Sequence, residues 1–185
     1  MAEPKQKPGS SKQDYGTPWS LIRAIEARWG SLTIDLAARA DNAKAPLFIT
    51  PEEDSLKQNW TERIGGGLGW LNPEFADIDP WARQCKRYEV GSDFIMLTPA
   101  SIGSEWFAEH CEGNTKIVGL RPRIKFEGCH NLDKNKQRRC DDSCLGCASY
   151  PKDCMLSLWG SRFDREPVFQ TWRWDVPVAK ISAAA

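Results

Sequence analysis

Apolar positions recur at helical spacing near the start of the chain. Leu21, Ile22, Ile25 and Trp29 fall on one side of the segment from Trp19 to Trp29, which predicts an amphipathic helix closed by Gly30. Thr17 reads as its N-cap, with Pro18 at the first helical position. Three short apolar runs follow: Leu32 to Leu36, interrupted by Asp35; Phe48-Ile49-Thr50; and Leu68 to Leu71, after the turn Gly65-Gly66-Gly67. Each predicts a short strand. Trp81, Cys85 and Tyr88 return to helical spacing after Asp79-Pro80, and Phe94-Ile95-Met96-Leu97 predicts a strand buried on both faces. Beyond it the pattern predicts a short helix from Ser104 to His110 and strands at Lys116–Leu120, Arg123–Phe126 and Met155–Trp159, the second alternating as an edge strand does. Strands and helices alternate through most of this length. The expected class is therefore α/β, a mostly parallel central sheet with helices on both faces. Trp159, Phe163, Phe169, Trp172 and Trp174 make an aromatic C-terminal tail that is expected to pack back on the body or form a dimer contact.

Length and composition support one domain: 185 residues, 41% hydrophobic and 27% charged, suffice for a single core. The expected division is a disordered arm over 1–12, an α/β core over 13–126, a cysteine-rich insertion over 127–154, and a final strand with the aromatic tail over 155–185. No window approaches the roughly 18 apolar residues of a membrane span, and the N-terminus lacks a signal-like apolar region, so a cytoplasmic protein without a membrane partner is expected. Lys+Arg and Asp+Glu balance at 25 each, so net charge names no partner. The distribution says more. Between Arg121 and Cys140, seven basic residues face only Glu127 and Asp133, a local patch suited to phosphates.

The 7 cysteines, read for a cytoplasmic chain, point to metal rather than to disulfides. Cys85 and Cys111 are isolated and read as buried apolar residues. Cys129, Cys140, Cys144, Cys147 and Cys154 crowd together, and Cys144-Leu145-Gly146-Cys147 has the knuckle spacing of a structural zinc site. Cys140, Cys144, Cys147 and Cys154 form the preferred ligand set, with Cys129 and His130 as alternatives. Zinc would order the polar loop and fix Lys134, Lys136, Arg138 and Arg139 as a basic surface for nucleic-acid contacts. His110 reads as a packing or surface group.

The candidate for chemistry is Asn72-Pro73-Glu74-Phe75, at the end of the Leu68–Leu71 run. An amide oxygen, a proline-fixed carbonyl and an aromatic face within four residues suit an exocyclic amine on a flat ring: Asn72 and Pro73 accept its hydrogens and Phe75 stacks. An aspartate such as Asp35, near the carboxyl end of a strand, stands where α/β proteins hold ligands.

Several ordered blocks carry a resemblance. Tyr15-Gly16-Thr17-Pro18-Trp19, Thr33-Ile34-Asp35-Leu36-Ala37-Ala38, Asn42-Ala43-Lys44, Phe48-Ile49-Thr50, Asp54-Ser55-Leu56 with Trp60, Trp70-Leu71-Asn72-Pro73-Glu74-Phe75 and Met96-Leu97-Thr98-Pro99-Ala100 resemble the phage-type DNA adenine-N6 methyltransferases of the Dam group. The resemblance implies a Rossmann-like methyltransferase fold, S-adenosylmethionine as cofactor, and methyl transfer to the adenine amine of duplex DNA, with the base flipped out. It implies that Tyr15, Thr17 and Pro18 close over the methionine end of the cofactor, that Asp35 and Ala37 line its pocket, and that Asp54 holds a polar edge. It makes Asn72, Pro73 and Phe75 the first, second and fourth positions of the catalytic Asn/Asp-Pro-Pro-Tyr/Phe loop.

Glu74 departs from that pattern, since the family has a second proline there. The change removes stiffness and puts an anion where a polyanion must approach, unless Arg83 or the basic stretch pairs with it. The alternative to the enzyme is a catalytically altered or inactive methyltransferase-like module that binds nucleic acid or protein through the basic zinc loop. RNA as the partner, and a monomer or a homodimer, remain open on the sequence alone.

Overall fold

The computed structural model describes residues 16–127 and 149–176. The arm, Tyr15, Cys129, His130, Cys140, Cys144, Cys147, Lys134, Lys136, Arg138 and Arg139 lie outside them. In chain order the regular elements are α1 (Trp19–Trp29), β1 (Ile34–Asp35), β2 (Leu47–Phe48), α2 (Trp60–Ile64), β3 (Leu68–Leu71), α3 (Asp79–Tyr88), β4 (Asp93–Pro99), β5 (Lys116–Arg121), β6 (Cys154–Trp159) and β7 (Phe169–Arg173).

The strands form one 7-stranded sheet in the order β2-β1-β3-β4-β6-β5-β7. All run parallel except β6, which is antiparallel to both β4 and β5. This mostly parallel α/β architecture fits a methyltransferase fold.

Apolar runs without alternation are explained by cover on both faces. In β4, Ile95 and Leu97 pack with Leu21, Ile22 and Ile25 of α1, while Phe94 and Met96 pack on the other side with Trp60 of α2 and Ala82 and Cys85 of α3. The stripe predicted on α1 is the one buried. Gly30 closes that helix at φ 105, a backbone state that favours glycine, and its N–H reaches the Glu26 carbonyl at 2.9 Å.

The differences from the expected elements have local causes. β1 is shorter than the Leu32–Leu36 run, although the N–H groups of Thr33 and Leu36 still donate to carbonyls of Leu68 and Trp70 on either side of it. The second strand is Leu47–Phe48 rather than Phe48–Thr50, because the chain turns at Pro51. Arg123–Phe126 is not a strand. Ile124 and Phe126 are buried and Arg123 and Lys125 exposed, as alternation predicts, but Pro122 carries no donor for a ladder as the chain leaves β5. The expected Ser104–His110 helix is a π-helical turn at Phe107–Cys111. At its end the buried His110 places Nε2 3.2 Å from Asp79 Oδ1, joining the turn to α3.

The aromatic tail packs back on the body. It supplies β7, whose Trp172 is buried against Trp29 with ring centroids 5.1 Å apart. Glu166 binds the same corner, accepting from Trp29 Nε1 at 2.9 Å and from Arg28 Nη2 at 3.0 Å.

Cys154 is the member of the expected metal set that lies among the described residues. It opens β6 as a buried core residue among Leu156, Leu97 and Ile124, and burial pushes its thiol up to about 12.

Candidate functional site

Ligands in open α/β sheets bind outside the carboxyl ends of the strands where the strand order reverses. Here the reversal falls at β1, since the chain passes from β1 outward to β2 and returns to β3 on the other side. A cavity of about 260 Å³ lies at that point. Its lining includes Asp35, Ala37 and Ala38 after β1, Thr50 and Asp54 after β2, Asn72 and Glu74 after β3, and Gly16 and Thr17 ahead of α1. Short strands thus bring residues far apart in sequence to one crevice.

Asp35 is the most perturbed group in it. The side chain is 3% exposed, one oxygen accepts from the Ala37 N–H at 3.2 Å, and the other accepts from the Lys44 N–H at 3.0 Å. Burial wins over these hydrogen bonds and raises its carboxyl from 3.8 to about 6. A buried, perturbed carboxylate on the wall of a cavity is a candidate functional group.

Lys44 is the second buried charge at the site. Its side chain is 3% exposed, and its Nζ lies 2.7 Å from Glu127 Oε2 and 4.7 Å from the ring centre of Trp19. Glu127 also donates its N–H to the Gly16 carbonyl at 2.8 Å. A Cβ at position 16 would meet Glu127 Oε2 at 2.8 Å, so a larger residue there would have to displace the carboxylate that holds Lys44. Lys44 therefore holds Asp35 with its backbone and, through Glu127, ties the segment ahead of α1 to the end of the Ile124–Phe126 stretch. Tyr150 N–H donates to the Ile124 carbonyl at 2.8 Å, so the chain departs after Glu127 and returns at almost the same place.

Thr17 is not the helix cap that the sequence suggests. Pro18 occupies that position, its carbonyl accepting from Leu21 at 3.0 Å and Ile22 at 3.2 Å, and no side chain caps the helix. The Thr17 hydroxyl is left buried and without a partner among the described residues. Pro18 supports the lining without belonging to it. Asp54 lines the cavity in a left-handed conformation, φ 54, uncommon for any residue but glycine. Its carboxylate takes the Lys57 ammonium at 2.8 Å, which holds its pKa below the usual value.

In the loop after β3, Asn72 and Glu74 line the cavity, Pro73 is buried, and the half-buried Phe75 ring packs edge-on against Phe126 at 5.9 Å and Tyr150 at 5.8 Å. Glu74 is exposed and does not pair with Arg83, whose Nη2 goes instead to Asp79 at 2.8 Å, one helical turn away. Trp81, Lys44 and Trp70 also line the cavity, and sequence reasoning assigned them no site role. Trp81 and Trp70 read as packing at their spacing. The signal for Lys44 was its place in a short polar segment directly after β1.

Residues 5–147 match the family described as DNA N-6-adenine-methyltransferase (Dam). The chain is 27% identical over 133 residues to a DNA N-6-adenine-methyltransferase of Escherichia phage T1, covering 71% of this chain and 53% of that protein. It is 27% identical over 136 residues to a protein of the same name from Haemophilus phage HP1, covering 69% of this chain and 76% of that one. The chain thus spans about half the length of the T1 protein and three quarters of the HP1 protein. Among the described residues no helix is long and apolar enough to cross a membrane.

Proposed function

The chain belongs to the Dam family of DNA N-6-adenine-methyltransferases, and from that premise we propose that it transfers a methyl group from S-adenosylmethionine to the exocyclic amine of adenine in DNA. The observation that carries the reading is the meeting of Thr17, Asp35, Asp54 and Asn72 around one cavity at the switch point of the sheet. The cofactor fits the donor set. Asp35 offers a buried carboxylate for a cationic or hydroxyl group, and Thr17 a buried hydroxyl with no partner among the described residues. When bound there, S-adenosylmethionine supplies an electrophilic methyl group on a cationic sulfur.

The chain's own residues handle the acceptor. The Asn72 side-chain oxygen and the Pro73 carbonyl each accept one hydrogen of the adenine amine, which aims the nitrogen lone pair at the methyl group. No strong base is needed before transfer, because the nitrogen becomes acidic once methylated. The base must leave the duplex to reach Asn72, and the exposed part of the Phe75 ring is its stacking surface. The open cavity, which the exposed Glu74 lines without filling, supports this enzyme reading over a pocket filled by its own loop.

Target contacts are assigned to Lys134, Lys136, Arg138 and Arg139, on a segment whose two ends leave the core beside the site. With Cys154 in the core, the zinc reading passes to Cys129, Cys140, Cys144 and Cys147, with His130 as the substitute ligand.

Two measurements test the enzyme. Titration calorimetry should show micromolar binding of S-adenosylmethionine that weakens in Asp35→Ala. Transfer of labelled methyl to unmethylated duplex DNA should fall by roughly 100-fold or more in Asn72→Ala, with cofactor affinity little changed. A folded wild-type protein that binds no S-adenosylmethionine would refute the reading.

A further inference from the structure

A buried N–H with no acceptor gives up its hydrogen bonds to water and gains nothing in return, so native structures seldom leave one. The fully buried indoles of Trp60 and Trp159 follow this rule. Trp60 Nε1 donates to the Ser55 carbonyl at 3.0 Å, and Trp159 Nε1 donates to Ser157 Oγ at 3.0 Å. Half-buried Trp29 and the more exposed Trp174 also find acceptors, at 2.9 and 2.8 Å. Trp70 is 0% exposed and its Nε1 has no partner among the described residues. The same holds for the Thr17 hydroxyl at 1% exposure. Both residues line the cavity, whereas Thr98 and Glu89, which also carry partnerless buried atoms, do not.

Building on the S-adenosylmethionine reading, we propose that Trp70 is a cofactor-binding residue: its indole N–H, together with the Thr17 hydroxyl, receives the carboxylate of the cofactor's amino-acid end. An indole N–H can only donate, so its missing partner must bring a lone pair. Trp70 is the direct ladder partner of Asp35, and residues so paired on neighbouring strands point to the same face of the sheet. A carboxylate acceptor on β1 beside a donor on β3 matches an amino-acid zwitterion, with its ammonium toward Asp35 and its carboxylate toward Trp70 and Thr17. The two cations that line the cavity are already engaged, the Lys44 ammonium by Glu127 at 2.7 Å and the Arg39 guanidinium by Asp41 at 3.4 Å, so neutral donors take the anion.

The order of residues along β3 fixes which end of the cofactor lies here. The transferred methyl must face Asn72, two positions after Trp70, and the sulfur that carries it begins the amino-acid tail. The nucleoside is then left to the opposite flank of β1, lined by Ile49, Thr50, Pro51 and Asp54.

The test compares two ligands on the full-length protein by calorimetry: S-adenosylhomocysteine, which has the amino-acid tail, and 5′-methylthioadenosine, which lacks it. Trp70→Phe and Thr17→Val should each weaken S-adenosylhomocysteine by about tenfold or more, as expected for a hydrogen bond to a charged group, and leave 5′-methylthioadenosine within about twofold. Thr17→Ser, which keeps the hydroxyl, should restore the affinity. Equal losses for both ligands, or no loss for either, would overturn the proposal while the S-adenosylmethionine reading stands. A wild-type protein that binds neither ligand overturns both. If Trp70→Phe fails to fold, the wild-type indole ¹⁵N–¹H spectrum decides. One tryptophan resonance should move downfield with S-adenosylhomocysteine and stay with 5′-methylthioadenosine; its staying in both overturns the assignment of Trp70.

Discussion

Asp35→Asn separates the cost of a buried charge from the value of the side chain that carries it. Folding moves this carboxyl from 3.8 to about 6, a gap worth about 3 kcal/mol. The native state binds the proton more tightly than the unfolded chain, so the stabilising contribution is fully present below 3.8. It is lost as pH rises through about 6, and at neutral pH the ionised side chain weakens the fold. Asparagine removes that penalty. It also turns an NH₂ group toward one of the two backbone N–H groups that Asp35 accepts, losing a hydrogen bond worth about 1–3 kcal/mol at every pH. The two effects nearly cancel at pH 7, whereas only the loss remains at pH 4. Urea unfolding of both proteins should therefore show the variant gaining on wild type by about 2 kcal/mol between pH 4 and pH 7, most of the full gap. A stability difference that stays constant over that range would refute a titrating, burial-raised Asp35. The same carboxylate must be ionised to hold a cationic group, so wild-type affinity for S-adenosylmethionine should fall by nearly tenfold from pH 7 to pH 5. In Asp35→Asn it should be weak and flat.

Three further outcomes are expected. Glu74→Pro removes an exposed anion from the loop proposed to meet DNA, and should tighten duplex binding by about threefold or more at low salt and by little at 0.5 M, read by fluorescence anisotropy; equal affinities at low salt would remove Glu74 from the interface. Glu127→Gln leaves the Lys44 ammonium buried without its anion and should cost about 2 kcal/mol in urea unfolding, an effect that Lys44→Met in the same chain largely reverses. Metal analysis of the purified protein should find zinc that is lost in Cys144→Ser and kept in Cys154→Ser; loss of zinc in a folded Cys154→Ser would return Cys154 to the ligand set.

Much of the sheet was legible because a strand covered on both faces writes itself as an apolar run. Leu68–Leu71 and Phe94–Leu97 are such strands, and the α1 stripe is equally plain. β7 was not, because only Trp172 of its five residues is buried and an edge strand needs little apolar sequence. That Asn72 and Asp35 stand at strand ends beside one cavity could be read from residue type and position. Lys44 and Trp70 could not. Lys44 acts through Glu127, 83 residues away, and the unanswered Trp70 donor becomes visible only when every other acceptor in the fold has been placed. Thr17 shows the opposite error, a capping residue by sequence whose hydroxyl the helix does not use.

β6 is synthesised after the cysteine-rich segment yet sits between β4 and β5. The nascent chain can assemble β1 to β4 early, but β5 has no neighbour until residues 154–159 emerge, so closing the sheet waits on a distant pairing and is expected to be slow. The described residues on either side of the cysteine-rich segment are joined by the Tyr150 N–H to the Ile124 carbonyl, and in general doubling the length of a connection between two joined points adds only about 0.6 kcal/mol of closure entropy. A lineage can therefore lengthen, shorten or exchange whatever it carries at this point while the strands that hold Asp35 and Asn72 stay in register.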